Sequence, residues 1–263
     1  MRRRTKILVA CFIGFLVYSG LIEPYIVRVT ERDITIEGLG GDEITIVHIA
    51  DLHTVRYGIR ESEVVEIVSE VDPDYVFVTG DLLKDDRDIA TCLRVLNDLK
   101  ARQGVYVVLG NADLSLLKEI DEGGVRKQAG RYTFLINESV DCGRFYLVGL
   151  DDPVTHREDI DLAFKNVGNE KPILVLTHFH PDSLLWELEE RRVAMVFSGH
   201  THGGQVGIRQ LVHIFPFIYR SRYMAGLYRP DHFYLSVTRG IGTNVFPLRF
   251  LCSPEVCIYH LRR

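Results

Sequence analysis

Asp51, His53, Asp81, Asn111, His178, His200 and His202 are the side chains of this 263-residue chain whose types and spacing can do chemistry together. They are carboxylates, imidazoles and one amide, with no thiolate among them. That donor set suits hard or borderline divalent ions. It is too large for one tetrahedral ion and about right for two ions that share a bridging carboxylate. Two such ions, roughly 3.5–4 Å apart, clamp a phosphoryl group for in-line displacement and acidify the attacking water. Taken alone, a pair such as Asp51 and His53 is ordinary surface chemistry. The order and placement of the whole set carry the reading.

Each donor follows a run of apolar and β-branched residues. Residues 44–50 lead into Asp51, 75–79 into Gly80-Asp81, and 105–109 into Gly110-Asn111. Residues 173–177 lead into His178, and 193–197 into Ser198-Gly199-His200-Thr201-His202. Near-continuous apolar runs of that length are strands buried on both faces, and open α/β sheets gather ligands at the carboxyl ends of such strands. Glycines at 80, 110, 199, 203 and 204 permit the sharp turns such a site needs. The spacing predicts helices over 60–70, 88–102 and 114–129, and Val64, Val65, Ile67, Val68 and Val71 give the first an apolar stripe for the core. It also predicts a hairpin from 25–30 and 33–37, strands at 131–137, 144–150, 233–238 and 256–261, and helices at 160–167 and 181–190. Strand–helix alternation followed by a strand-rich second half gives an α/β fold of two packed mixed sheets flanked by helices. His48, one residue short of its strand's end, either orients a ligand from behind or packs in the core.

Read in order, the motifs are Asp51-Leu52-His53, Gly80-Asp81, Gly110-Asn111-Ala112-Asp113, His178 and Gly199-His200-Thr201-His202. This set resembles that of the calcineurin-like metallophosphoesterase superfamily, and the resemblance runs from about Ile44 to the C-terminus. Further segments are similar to a membrane-tethered bacterial branch: Gly149-Leu150-Asp151-Asp152-Pro153, Gly203-Gly204-Gln205, Arg239-Gly240-Ile241-Gly242-Thr243 and Pro247-Leu248-Arg249. That branch includes phosphodiesterases and a type of UDP-2,3-diacylglucosamine pyrophosphatase. The resemblance implies a four-layer αββα sandwich. It also implies one metal on Asp51, His53 and His202, a second on Asn111, His178 and His200, and Asp81 as the bridge. Manganese fits the donors best, with iron, zinc, nickel and magnesium compatible.

One position departs from the family pattern. The family carries His after the Asn, where it protonates the leaving group or holds the phosphate, and this chain has Ala112. His180, in Thr177-His178-Phe179-His180, is the nearest substitute by sequence. The other explanation lies in the substrate. A general acid is worth roughly 10²–10⁴ in rate, and a phosphoanhydride or activated diester needs it far less than an alkyl monoester does. The expected reaction is therefore hydrolysis of a phosphodiester or pyrophosphate bond, in a small phosphorylated molecule or a lipid-linked one such as UDP-2,3-diacylglucosamine. A metal-stabilised membrane module without turnover, and a nuclease, are the alternatives.

Composition narrows these. Lys and Arg number 31 against 36 Asp and Glu, a net charge of −5 that argues against a nucleic-acid partner. Two divalent ions would still reverse the local field for a small anion. Arg2, Arg3, Arg4 and Lys6 precede an uncharged run from Ile7 to Ile22, on the short side of the roughly 17–25 residues that span a membrane. This divides the chain into an N-terminal anchor, 1–25, and a catalytic domain, 26–263. A cleaved signal or an interfacial helix fits the same pattern. Basic residues stay cytoplasmic, which puts an anchored domain on the outer side, whereas an interfacial helix leaves it in the cytoplasm. The stretch 211–228, with Phe215, Phe217, Tyr219, Tyr223 and Tyr228 among Arg209, Arg220, Arg222 and Arg229, reads as a lid, a membrane-contacting loop or a hydrophobic flap. Arg239 and Arg249 are candidates to grip a phosphate or to form structural ion pairs. Cysteines 11, 92, 142, 252 and 257 stand apart from the ligand set, and Cys252 and Cys257 could bridge in an oxidising compartment.

Overall fold

The computed structural model describes residues 3–85, 88–116, 131–208, 221–244 and 246–263. Among the described residues, twelve strands form two six-stranded sheets. The first holds β1 (Arg28–Thr35), β2 (Ile44–Ile49), β3 (Tyr75–Thr79), β4 (Gly104–Val108), β5 (Tyr132–Phe134) and β12 (Glu255–Arg262), in the order β1-β12-β2-β3-β4-β5. The second holds β6 (Glu138–Asp141), β7 (Tyr146–Gly149), β8 (Ile173–Leu176), β9 (Val193–Ser198), β10 (Gly226–Tyr228) and β11 (Tyr234–Val237), in the order β10-β11-β9-β8-β7-β6. Both are mixed: β12–β2, β10–β11 and β6–β7 run antiparallel and the remaining pairs parallel.

Period-2 alternation explains the layers. On β3, Val76 and Val78 pack outward with Val64 and Val68 of α2 (Ile59–Val71) and Val95 and Leu96 of α3 (Ile89–Asp98). Tyr75 and Phe77 turn inward and meet Phe197 and Met195 of β9 between the sheets. Val175 and Val196 face out of the second sheet toward α5 (Asp182–Glu190), which buries Leu184, Leu185 and Leu188, and toward α4 (Ile160–Phe164). The result is a helix–sheet–sheet–helix sandwich, as expected. Strands buried on both faces need apolar residues at every position, and β3 is buried throughout.

Three features differ from the reading of the sequence. The hairpin expected at 25–30 and 33–37 is one edge strand, β1, paired parallel with β12 from Arg28↔Glu255 to Thr35↔Arg262. Exposed Glu31 and Arg32, which read as a turn, are ordinary residues for the edge of a sheet. The strands β6 and β10 had no expected counterpart, because both are short, half-buried and without alternation. All five cysteines are free, including Cys252 and Cys257. The helix expected at 114–129 lies, from residue 117, outside the described residues.

At the N-terminus α1 (Arg3–Val17) continues through single turns at Tyr18–Ile22 and Glu23–Tyr25. Arg3–Tyr25 is long and apolar enough to cross a membrane. Its last residues are not a free linker. Ser19 and Glu23 are each only 1% exposed, against the 249–253 segment. A boundary at residue 25 therefore cuts through packed structure.

Candidate metal centre

Register brings the donors together. Ile49 pairs with Val78 and Thr79 with Val108 in the first sheet, and Leu176 with Phe197 and Ser198 with Val237 in the second. The strands thus end level, and Asp51, Asp81, Asn111, His178 and His200 leave the same edge. Asp51, His53, Asp81, His200 and His202 all adopt positive φ, between 41° and 68°. L-residues enter that region at a cost and hold it where surrounding contacts over-determine them. The backbone itself supplies those contacts: Asp51 N donates to Gly80 O and His53 N to Asp81 O, at 2.9 and 3.0 Å. Gly110 is obligatory for a different reason. A Cβ there would strike the Asp81 main chain and carboxylate and, at 3.0 Å, the His178 ring.

Two groups of donor atoms result, each within 4.8 Å of one another: Asp51, His53, Asp81 and His202, then Asp81, His178 and His200. Asp81 belongs to both. Asn111 joins the second group, its Oδ1 3.2 Å from His178 Nε2. The protons are placed by carbonyls, which only accept. His53 Nδ1 lies 3.2 Å from Leu83 O and His178 Nδ1 3.0 Å from Thr79 O, so each Nε2 turns its lone pair into the cluster. Around His178 Nε2 stand Asp81 Oδ1 at 3.4 Å and Asn111 Oδ1 at 3.2 Å. His53 Nε2 faces His202 Nε2 at 3.1 Å. Asp81 Oδ2 is buried and accepts no hydrogen bond. Acceptors converging on one another, with an orphaned carboxylate oxygen in the middle, fit cations in both groups.

Electrostatics agree. Burial drives His53 down to about 4 and His200 to about 3, and drives His202 well below its usual value, so these imidazoles are neutral, the form that can bind a metal ion. Burial also opposes a charge on His178, but the Asp81 and Asp51 carboxylates overcome it and lift the ring to about 10, so without a cation Nε2 carries a proton where a metal ion would take its lone pair. Burial pushes Asp51 up to about 7. For Asp81 burial pulls the same way but is outweighed by His178 and His53, which hold the carboxyl below its ordinary range. The cluster draws positive charge to itself.

Other sequence candidates fall elsewhere. His180 is buried with Nδ1 2.8 Å from Ser198 Oγ and Nε2 2.9 and 3.0 Å from Ser221 Oγ and Tyr223 O. Both ring nitrogens are committed, so His180 ties β9 to the 221–223 segment and is not aimed at the donors. Ala112 contributes through its backbone, N–H to Asp81 Oδ1 at 2.9 Å. Arg249 is fully buried and committed: it donates to Gly242 O, Cys252 O and Arg239 O, and its Nη2 lies 3.5 Å from His202 Nδ1. Arg239 pairs with Glu255. His48 sits in the core against Thr79 and Phe197. Of the 211–228 stretch, 211–220 lie outside the described residues, while Tyr223 is buried against Tyr228. Asp113 is a residue whose role the sequence hid. It accepts from Leu82 N, Leu83 N and Gly110 N, fastening the two loops that carry Asp81 and Asn111. Its only signal was its place at the end of the Asn111 motif.

The chain belongs to the calcineurin-like phosphoesterases, whose family profile matches residues 44–204. It is a phosphoester hydrolase with a buried Asp/His metal cluster. YkuE, a metallophosphoesterase of Bacillus subtilis, is 28% identical over 93% of this chain and 89% of its own length. Phosphodiesterase YaeI of Escherichia coli is 29% identical over 82% of this chain and 81% of its own. A zebrafish (Danio rerio) transmembrane protein with a metallophosphoesterase domain is 26% identical over 84% of this chain and 53% of its own.

Proposed function

We propose that the chain is a membrane-anchored hydrolase of phosphodiester or pyrophosphate bonds, with Asp51, His53 and His202 holding one divalent ion, Asn111, His178 and His200 the other, and Asp81 bridging. The observation that carries this is the sharing of Asp81 by both donor groups. Bound ions, manganese foremost, supply Lewis acidity toward a phosphoryl oxygen and acidify the attacking water. The protein's part is to fix the ligands. Leu83 O and Thr79 O set the tautomers of His53 and His178. His200 N and Ala112 N hold the carboxylates of Asp51 and Asp81 in place, at 2.9–3.1 Å. No imidazole follows Asn111, and His180 is turned away, so neither position supplies an imidazole to protonate the leaving group. Good leaving groups are favoured, such as a phosphate or a phenolate. The phosphodiesterase activity in the name of YaeI supports the diester reading. The Arg3–Tyr25 helix supports a substrate reached at a membrane, including a lipid-linked pyrophosphate such as UDP-2,3-diacylglucosamine.

The test uses full-length protein in detergent, stripped of metal and reloaded with manganese. It is assayed on bis(p-nitrophenyl) phosphate, a nucleotide-sugar pyrophosphate and an alkyl phosphomonoester. Manganese-dependent turnover of the first two, at least about 10²-fold above the third, is expected. Asp81→Asn should abolish it. Equal turnover of the alkyl monoester would sink the leaving-group argument, and unimpaired Asp81→Asn the shared-ligand one.

A further inference from the structure

Beside the cluster lies a cavity of about 460 Å³ that takes His53 as one wall. Its other walls include Arg56, Lys84, Val55, Ile59 and Tyr25. The cations are unequal. Arg60, also present, is neutralised by Glu61 at 2.7 Å. Lys84 donates to two carbonyls, Thr243 O at 3.0 Å and Asn244 O at 2.5 Å, which orient it without cancelling its charge. Neither Arg56 nor Lys84 has a carboxylate partner among the described residues. Two cations facing one cavity without a carboxylate bridge among the described residues attract an anion. The rim is apolar: Val55 is 56% and Ile59 77% exposed, and Tyr25 belongs to the base of the N-terminal helix. We propose that this cavity is a subsite for a second anionic group of the substrate, a phosphate gripped by Arg56 and Lys84 while the scissile phosphoryl group lies at the metal cluster. This rests on the hydrolase reading above.

The experiment compares two p-nitrophenyl phosphodiesters on the manganese-loaded full chain: bis(p-nitrophenyl) phosphate, and one whose other arm ends in a phosphate monoester. Arg56→Ala and Lys84→Ala should each lower the kcat/KM ratio of the second to the first by about tenfold, the worth of one charge-assisted hydrogen bond. An unchanged ratio in both variants overturns the subsite. Loss of manganese-dependent turnover of bis(p-nitrophenyl) phosphate in the unmutated chain would instead overturn the hydrolase reading. The phosphate-ended diester is offered both free in water and as a long-chain acyl ester in dodecylmaltoside micelles. A variant-sensitive preference for the acyl form assigns a lipid source, and equal rates a soluble one.

Different contacts carry a second inference. The Glu23 carboxylate, buried below the N-terminal helix, accepts from Leu251 N at 2.8 Å, Cys252 N at 2.7 Å and Ser253 Oγ at 3.2 Å. Arg249 N donates to Ser19 O at 2.8 Å. The segment so held returns to the cluster: Cys252 Sγ lies 3.3 Å from His202 O, and the Arg249 guanidinium clasps Gly242 O, whose residue donates its N–H to Asp51 O. We infer that Glu23 is a positioning residue for the Asp51–His53–His202 half of the centre. The readout is manganese binding to the full chain, followed by electron paramagnetic resonance. Glu23→Ala should weaken one of two ions by roughly tenfold and spare the other, and Glu23→Gln, which keeps the shape and one acceptor, should recover most of the loss. Unaltered affinity at both sites, or equal loss at both beside a lowered unfolding midpoint, overturns it.

Discussion

The two halves of the cluster are held by different parts of the molecule. His178 and Asn111 follow directly from β8 and β4, and Thr79 O at the end of β3 fixes the His178 ring. This half is assembled by strands that neighbour one another. In the other half, Asp51, His53 and His202 have positive φ, as His200 does in the first, but here they lean on loops from far along the chain. Ile241 N donates to Ala50 O and Gly242 N to Asp51 O, while Cys252 reaches His202 O. One half is a product of sheet register. The other depends on the C-terminal loops and, through Glu23 and Ser19, on the N-terminal helix. Strand ends bring Asp51, Asp81, Asn111, His178 and His200 to one edge, and long-range loops must then fix the half that holds Asp51, His53 and His202.

Asp81→Asn strikes both halves and should leave no measurable manganese-dependent turnover. Arg249→Lys is the sharper probe of the contrast. A lysine keeps the charge but loses the planar fork, stranding some of the carbonyls of Arg239, Gly240, Gly242 and Cys252. Retention of one ion should fall by roughly tenfold while the other is kept, read as metal per chain by atomic emission after dialysis. Equal loss of both ions would show that the halves are one mechanical unit.

The same contrast explains what was legible in the sequence. The strand-end donors could be read because each follows a near-continuous apolar run, and the sandwich followed from alternation on strands such as β3. Arg249 could be flagged but not understood. Its partners are backbone carbonyls, which leave no trace in side-chain identity. Glu23 was invisible for a similar reason: a lone acid at the end of an apolar helix reads as its polar boundary, not as a buried acceptor for the Leu251 N–H, 228 residues further along the chain. Lys84 and Arg56 lie in loops, where spacing says little about which cavity a side chain borders. The hairpin error came from treating two exposed charged residues as a turn when the partner strand was at the other end of the chain.

The smallest effect on the centre belongs to a histidine outside both halves. His48 lies between the sheets, its Nε2 2.9 Å from Thr79 Oγ1 and its ring edge-on to Phe197. Burial depresses its pKa from 6.5 to about 3. As the pH falls, the unfolded chain takes up this proton first, so the folded state loses relative stability through the window from about 6.5 down to about 3. The full contribution is present above that window, and the slope within it approaches about 1.4 kcal/mol per pH unit for this one group. Denaturant midpoints of the full chain from neutral pH to about pH 4 should show that slope, and His48→Asn should remove this share of it. The variant lowers stability at neutral pH by losing the ring's packing, so the difference in slope is the measurement. Parallel curves would mean that His48 stays uncharged in the unfolded chain or finds water in the folded one. Metal binding should be unaffected by the substitution, because Thr79 holds His178 through its carbonyl and not through the hydroxyl that His48 touches.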